Sequence, residues 1–166
     1  MTRPFKTIPD LFILILSIGL VSHSCVPDNL CSSTIKTTSN NFSINEPILI
    51  SYSIKNISKD TIRIWHSGFW RNNKIVMTDD QNIEIPRTDR GKSELSAFSP
   101  GGERDKNYPV TLAPDQTDSA YEKYNLKDHF LFKNSGVYRV TYYYHEINNK
   151  TEIKIKSNTV RIQIDN

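Results

Sequence analysis

The chain predicts an all-β fold, an antiparallel sandwich of about seven to nine strands. Three observations carry this. Short stretches alternate apolar and polar residues with a period of two. Turn residues separate those stretches at close intervals. No apolar stripe of helical period runs for three turns, and Ile, Thr and Tyr outweigh Ala, a composition that suits a pleated surface.

The elements follow in chain order. Residues 26–41 are polar, rich in Ser and Thr and weakly patterned, so they read as a tether or a loosely held first strand. The sandwich proper begins at Phe42. Ile48, Ile50, Tyr52 and Ile54 alternate with Leu49, Ser51, Ser53 and Lys55, the pattern of a half-buried strand. Residues 56–60 supply a turn, and 61–65 alternate again through Ile62 and Ile64. Residues 74–77 and 81–85 flank Asp79-Asp80 as the arms of a hairpin with a polar turn. Val110 and Leu112 mark a short strand ahead of Pro114, and 120–126 form a strand or a short helix. Residues 137–145 are the longest strand, with Tyr142 and Tyr144 facing the core and Tyr143 facing out. A strand over 152–155 follows the Asn148-Asn149 turn, and Val160, Ile162 and Ile164 close the chain. The predicted core is Ile50, Tyr52, Ile64, Tyr138, Val140, Tyr142 and Ile162. One stretch breaks the spacing. From Thr88 to Asn107 about twenty charged and small residues, with Gly91 and Pro100-Gly101-Gly102, read as a long loop that is disordered or covers surface, ahead of one that binds.

The start of the chain carries an address. Arg3 and Lys6 precede an apolar run from Leu11 to Val21, followed by Ser22-His23-Ser24-Cys25. This is the layout of a secretory signal, and the run is too short to span a bilayer, which takes about 20 apolar residues. Cleavage after Ser24 is expected, giving a leader over 1–24, a tether or loose strand over 25–41 and a domain over 42–166. Cys25 stands where a bacterial lipoprotein carries its acylated cysteine, although Ser22 and His23 depart from the usual box. A Cys25–Cys31 disulfide in a soluble periplasmic or secreted protein is the alternative. Lipid anchoring in the cell envelope is the leading reading. Removing Arg3, Lys6 and Asp10 takes the formal charge from +3 to +2. A balance so even argues against nucleic acid, which calls for a clustered basic face.

The segment Asn134-Ser135-Gly136-Val137-Tyr138-Arg139-Val140 resembles the start of strand F in immunoglobulin-like domains. The resemblance implies a turn at Gly136 and a corner tyrosine at Tyr138, whose hydroxyl bonds back to upstream backbone. It places Val140 where antibody domains have their second cysteine, its mate at Ile50 or Tyr52, and Trp65 near the core tryptophan of strand C. Neither cysteine is present, so the likeness is to disulfide-free bacterial domains of immunoglobulin-like or fibronectin-like type. Small envelope domains of that kind share the Glu46-Pro47-Ile48 lead, an Asn at the strand end (Asn56) and a closing strand with Ser157, Asn158 and Val160. The likeness runs from Phe42 to Ile164 and implies a fold rather than a job. A fainter likeness is to a bacterial proteinase-inhibitor sandwich.

Catalytic patterns are missing from the sequence. There is no Gly-x-Ser-x-Gly elbow, and His66, His129 and His145 show no metal-ligand spacing. Asp79-Asp80-Gln81-Asn82 lacks the EF-hand pattern. No cofactor or metal is implied. A non-catalytic binding or structural envelope module leads, a proteinase inhibitor using the 88–107 segment follows, and a metal-dependent enzyme comes last. The candidate binding surface is Phe69, Trp70, Arg71, Leu95 and Phe98, since Trp and Arg are enriched at binding hot spots. The partner is an envelope protein or surface ligand.

Overall fold

Two sheets face each other across a layer of isoleucine and tyrosine. The computed structural model describes residues 30–65, 72–98, 109–147 and 152–166, the side chains of 65 and 120–123 excepted. The first sheet has the order β1 (Cys31–Thr37), β3 (Leu49–Asn56), β7 (Thr117–Asn125). The second has the order β2 (Asn41–Ser43), β9 (Glu152–Asp165), β8 (Gly136–Ile147), β5 (Asn73–Asp79). A ribbon of β4 (Ile62–Trp65) with β6 (Pro109–Leu112) stands beside them. One helix, α1 (Asp89–Ala97), and a single 3-10 turn (Leu126–Asp128) complete the described fold.

All seven predicted core residues are buried, none more than 6% exposed. Tyr52 of β3 stacks on Tyr142 of β8 with ring centroids 4.1 Å apart. This contact joins the sheets where an antibody domain uses a disulfide, and such a pair adds about 0.5–1.5 kcal/mol beyond its buried area. The corner at the start of β8 forms as the resemblance implies. Gly136 takes a φ of 153°, and the Tyr138 hydroxyl donates to the Asn134 carbonyl at 2.6 Å.

Several elements differ from the sequence expectation. Of the two readings of 26–41, a tether or a loosely held first strand, the structure has the strand from Cys31 onward, and it is firmly held: β1 pairs with β3 over its full length and buries Cys31 and Ile35. Only every second residue of β1 faces the core, and most of the rest are hydroxyls, which hides the pattern. After Thr37 the chain crosses to the other sheet, where β2 runs parallel to β9, so the sandwich is not antiparallel throughout. The strands expected at 152–155 and 160–164 are one strand. At their junction Ser157 and Asn158 form a bulge opposite Tyr142. Ser157 Oγ accepts the Tyr142 N–H at 3.0 Å, while the Asn158 amide takes both the N–H and the C=O of Ile35, at 2.8 and 3.0 Å. Asn56 is likewise fully used, donating to Asp60 and Leu112 carbonyls and accepting from Ser58. The 120–126 stretch is strand up to Asn125 and then the 3-10 turn. Trp65 does not hold the strand C position: β4 pairs with β6, and the strand beside β8 is β5, whose buried residues are Asn73, Ile75 and Met77.

Candidate functional site

The second sheet ends at β5, and a free strand edge has to be covered or paired. Part of the cover is the segment expected as the second hairpin arm, 81–85. Asp79 Oδ1 accepts the N–H groups of Gln81 and Ile83, and Ile85 N–H reaches the Met77 carbonyl at 2.8 Å. Only one bridge, Thr78 with Glu84, forms there, so the arm is not a strand. Pro86 has no N–H to continue the ladder. The Arg87 guanidinium takes over, donating to the Ile75 carbonyl at 2.5 Å, and its plane lies 4.6 Å from the Phe130 ring centroid.

From there the chain enters α1, so the first half of the stretch expected as a long loop over 88–107 is helix, while 99–107 lie outside the described residues. Thr88 is the N-cap: its Oγ1 accepts the Gly91 N–H at 3.1 Å and donates to the Asp128 carbonyl at 2.7 Å. The helix carries no apolar stripe because the residues it buries are Gly91 and Glu94. A Cβ at Gly91 would stand 2.1 Å from the His129 carbonyl oxygen, so glycine permits the close approach. Glu94 Oε2 meets His129 Nδ1 directly, both side chains under a tenth exposed. Tyr124 stacks on His129 at 4.1 Å, and Arg90 Nε lies 3.3 Å from Glu94 Oε1. Burial raises the Glu94 pKa to about 7, against the pull of Arg90 and Arg87. Burial, helped by Arg90, lowers His129 to about 4. The pair therefore behaves as an un-ionised acid against a neutral imidazole, which suits a dry contact.

This anchorage brings Phe98, the C-cap of α1, to the outer face of the second sheet. There a groove of about 530 Å³ is lined by Lys74 and Val76 of β5, Tyr143 and His145 of β8, and Lys154 and Lys156 of β9, with Phe98 beside them. Register explains the grouping: Tyr143 pairs with Lys74 on one side and Lys156 on the other, and His145 pairs with Lys154. Lys156 Nζ lies 5.9 Å from the Tyr143 ring centroid. Glu152 accepts from Lys154 at 2.7 Å and His145 at 2.9 Å, and these bonds, Lys154 first, hold its carboxyl below the usual range. Further along β9 a smaller hollow of about 260 Å³ is lined by Asn40, Asn41, Arg161 and Gln163.

The predicted site residues are thus partly placed. Phe98 lines the groove, and Leu95 is exposed on α1. Phe69, Trp70, Arg71 and Cys25 lie outside the described residues; the chain re-enters at Asn72, whose carbonyl accepts the His145 N–H at 2.8 Å. Sequence reasoning missed Lys74, Tyr143, Lys154 and Lys156, although the alternation of Lys154 and Lys156 on a strand was a usable signal. The even balance of charge along the chain does not carry over to its surface. Among the described residues, strand alternation gathers Lys74, Arg139, Lys154, Lys156 and Arg161 on one sheet face, with Glu152 and Asp165 at its two ends. Cys31 is a free, buried thiol, pushed up to about 11 by burial and by Glu146, and so a poor nucleophile. Among the described residues no group of three metal-ligating side chains is close enough to hold an ion.

The strand order, with its corner tyrosine, defines an immunoglobulin-like β-sandwich. No family model matches the sequence, and no curated protein matches it. Among solved structures the chain is similar to the CARDB domain of a Pyrococcus furiosus protein, solved in complex with di-metal ions. The TM-score is 0.38 at 14% identity, covering 81% of this chain and 91% of that one. At that distance the similarity bears on no individual residue here.

Proposed function

We propose that this is an exported cell-envelope protein, cut after Ser24 and anchored by acylation of Cys25, whose sandwich binds an envelope component without catalysis. The observation that carries the binding reading is the groove: an aromatic and cationic hollow of about 530 Å³ on an open sheet face, in the size range of ligand sites. The leader and Cys25 support the anchoring. The non-catalytic reading is supported by the inert Cys31 and by the burial of the Glu94–His129 pair beneath α1. Phe98 lines the groove and Leu95 is exposed on the flanking helix, which supports a binding role for both; Phe69, Trp70 and Arg71 lie outside the described residues.

Two measurements test this. Intact mass of the membrane fraction should show a chain beginning at acylated Cys25, and a soluble, unmodified chain would refute the anchor. A photo-crosslinker at Val76 should capture an envelope component in the parent and lose it in Phe98→Ala with Tyr143→Ala. Equal capture by both proteins would rule out the groove.

A further inference from the structure

Resting on the groove reading above, we infer that the ligand is an acidic polysaccharide lying along β9, from the groove to the Arg161 hollow. Both hollows open on the same face, because Lys154 and Lys156 before the bulge and Arg161 and Gln163 after it all point outward. Lys154 and Arg161 are seven residues apart, a span of roughly 20 Å at strand rise. A small anion would occupy one end of such a strip; an extended chain engages all of it.

Part of this charge is spent within the fold, since Lys154 pairs with Glu152 at 2.7 Å and Arg139 donates to the Asp79 carbonyl at 2.9 Å, and part is not. Arg139 and Arg161 are directly opposed cross-strand neighbours, a placement that destabilises a sheet by itself. Among the described residues Lys74, Lys156 and Arg161 form no ion pair within the chain. Placed together these cations complement a line of carboxylates or sulfates. The remaining groups choose among polyanions. Asn40, Asn41 and Gln163 bring amide groups to the second hollow, the Gln163 side-chain N–H also donating to Asp165 Oδ1 at 3.1 Å, and Thr159 puts a hydroxyl between the two, bonded at 2.9 Å to that of the buried Thr141. Amides and hydroxyls beside cations match a ligand carrying hydroxyl groups as well as charge. Stacked nucleobases fit less well, since Lys156 already lies over the half-buried ring of Tyr143.

The test titrates the mature full-length chain, in detergent, with polygalacturonate, neutral dextran and duplex DNA at low and physiological salt. Polygalacturonate should bind at least tenfold more tightly than dextran and weaken with salt. Lys154→Glu with Lys156→Glu, and separately Arg161→Glu, should each lower that affinity about tenfold. Lys36→Glu on the other sheet should not. Gln163→Leu should weaken polygalacturonate several-fold and leave DNA unchanged. Thermal midpoints within a few degrees of the parent establish that these surface variants are folded. Polygalacturonate bound no better than dextran would overturn the inference, and so would DNA bound as tightly with the same variant losses. An Arg161→Glu chain with parental affinity would confine the ligand to the groove and also sink it. If polygalacturonate fails while crosslinking at Val76 still depends on Phe98 and Tyr143, the groove reading survives and the acidic-polysaccharide inference falls alone.

Discussion

The two outer faces of this sandwich are built by the same alternation and could hardly differ more. The face of β1 and β3 presents Thr34, Lys36, Ser51 and Ser53 around a hollow of about 170 Å³. Of its cations, Lys55 is matched by Asp115 at 2.8 Å and, among the described residues, Lys36 stands alone at the hollow. The face of β5, β8 and β9 presents five cations, a tyrosine and two larger hollows, and a helix is docked beside it through a buried acid–imidazole pair. The first surface only has to meet water. The second keeps directly opposed arginines that stability alone would remove, and such local conflicts concentrate where function does.

Tyr138→Ala should have the largest effect, because it strikes what both faces share. Loss of a buried ring should cost about 3–5 kcal/mol, read by urea unfolding with a probe on each face. Two separate transitions would break the comparison, since each face would then have its own support.

Glu94→Gln acts on the helix side alone. In the parent, the raised Glu94 pKa makes stability fall as pH climbs from 4.5 to about 7. The lowered His129 pKa makes it fall as pH drops from 6.5 to about 4. Between 4.5 and 6.5 the opposing slopes offset, and stability should be flat. Without the acid only the histidine slope remains, so the variant should gain up to about 3 kcal/mol from pH 4 to 6.5. Urea midpoints across that range decide it; a sloping parent or a flat variant would show that the pair is not neutral.

Gly91→Ala should cost about 1–3 kcal/mol by forcing α1 off the His129 carbonyl. Hydrogen exchange should quicken in α1 while β1 and β3 keep their protection. The smallest effect has the opposite sign. Arg161→Thr relieves the facing arginines and should stabilise by up to about 1 kcal/mol, whereas Ser53→Thr on the other face should stay within about 0.5 kcal/mol. A destabilised Arg161→Thr protein would mean that the cation serves the fold after all.

The sequence was most legible where one residue decides one contact. Alternation named the core, and Tyr138, Asn56, Ser157 and Asn158 each make bonds that fix a corner, a turn or a bulge. It was least legible where polar residues are buried or where several strands contribute. β1 shows only Cys31 and Ile35 among hydroxyls. α1 buries glycine and glutamate, so apolar periodicity could not report it, although Thr88-Asp89 is a helix-start signal. β9 looked broken because Ser157-Asn158 resembles a turn and is a bulge. The cationic face needs the pairing of Arg139 with Arg161 and of Lys74 with Tyr143, and register of that kind is fixed only when the sheets close.

The Asn158 clamp on Ile35 has a mechanical consequence. Ile35 lies beside Asn158 and Asn40 beside Gln163, through the Gln163 N–H to Asn40 carbonyl bond of 2.7 Å, so the first and last strands run the same way, one in each sheet. A pull applied between the start of β1 and the end of β9 therefore acts along both strands. The clamp, the parallel β2–β9 bonds and the β1–β3 ladder carry that load together, in shear, rather than opening one after another like a zip. A domain wired in this way holds its shape when tugged from its two ends, and gives way far sooner when β1 is peeled sideways.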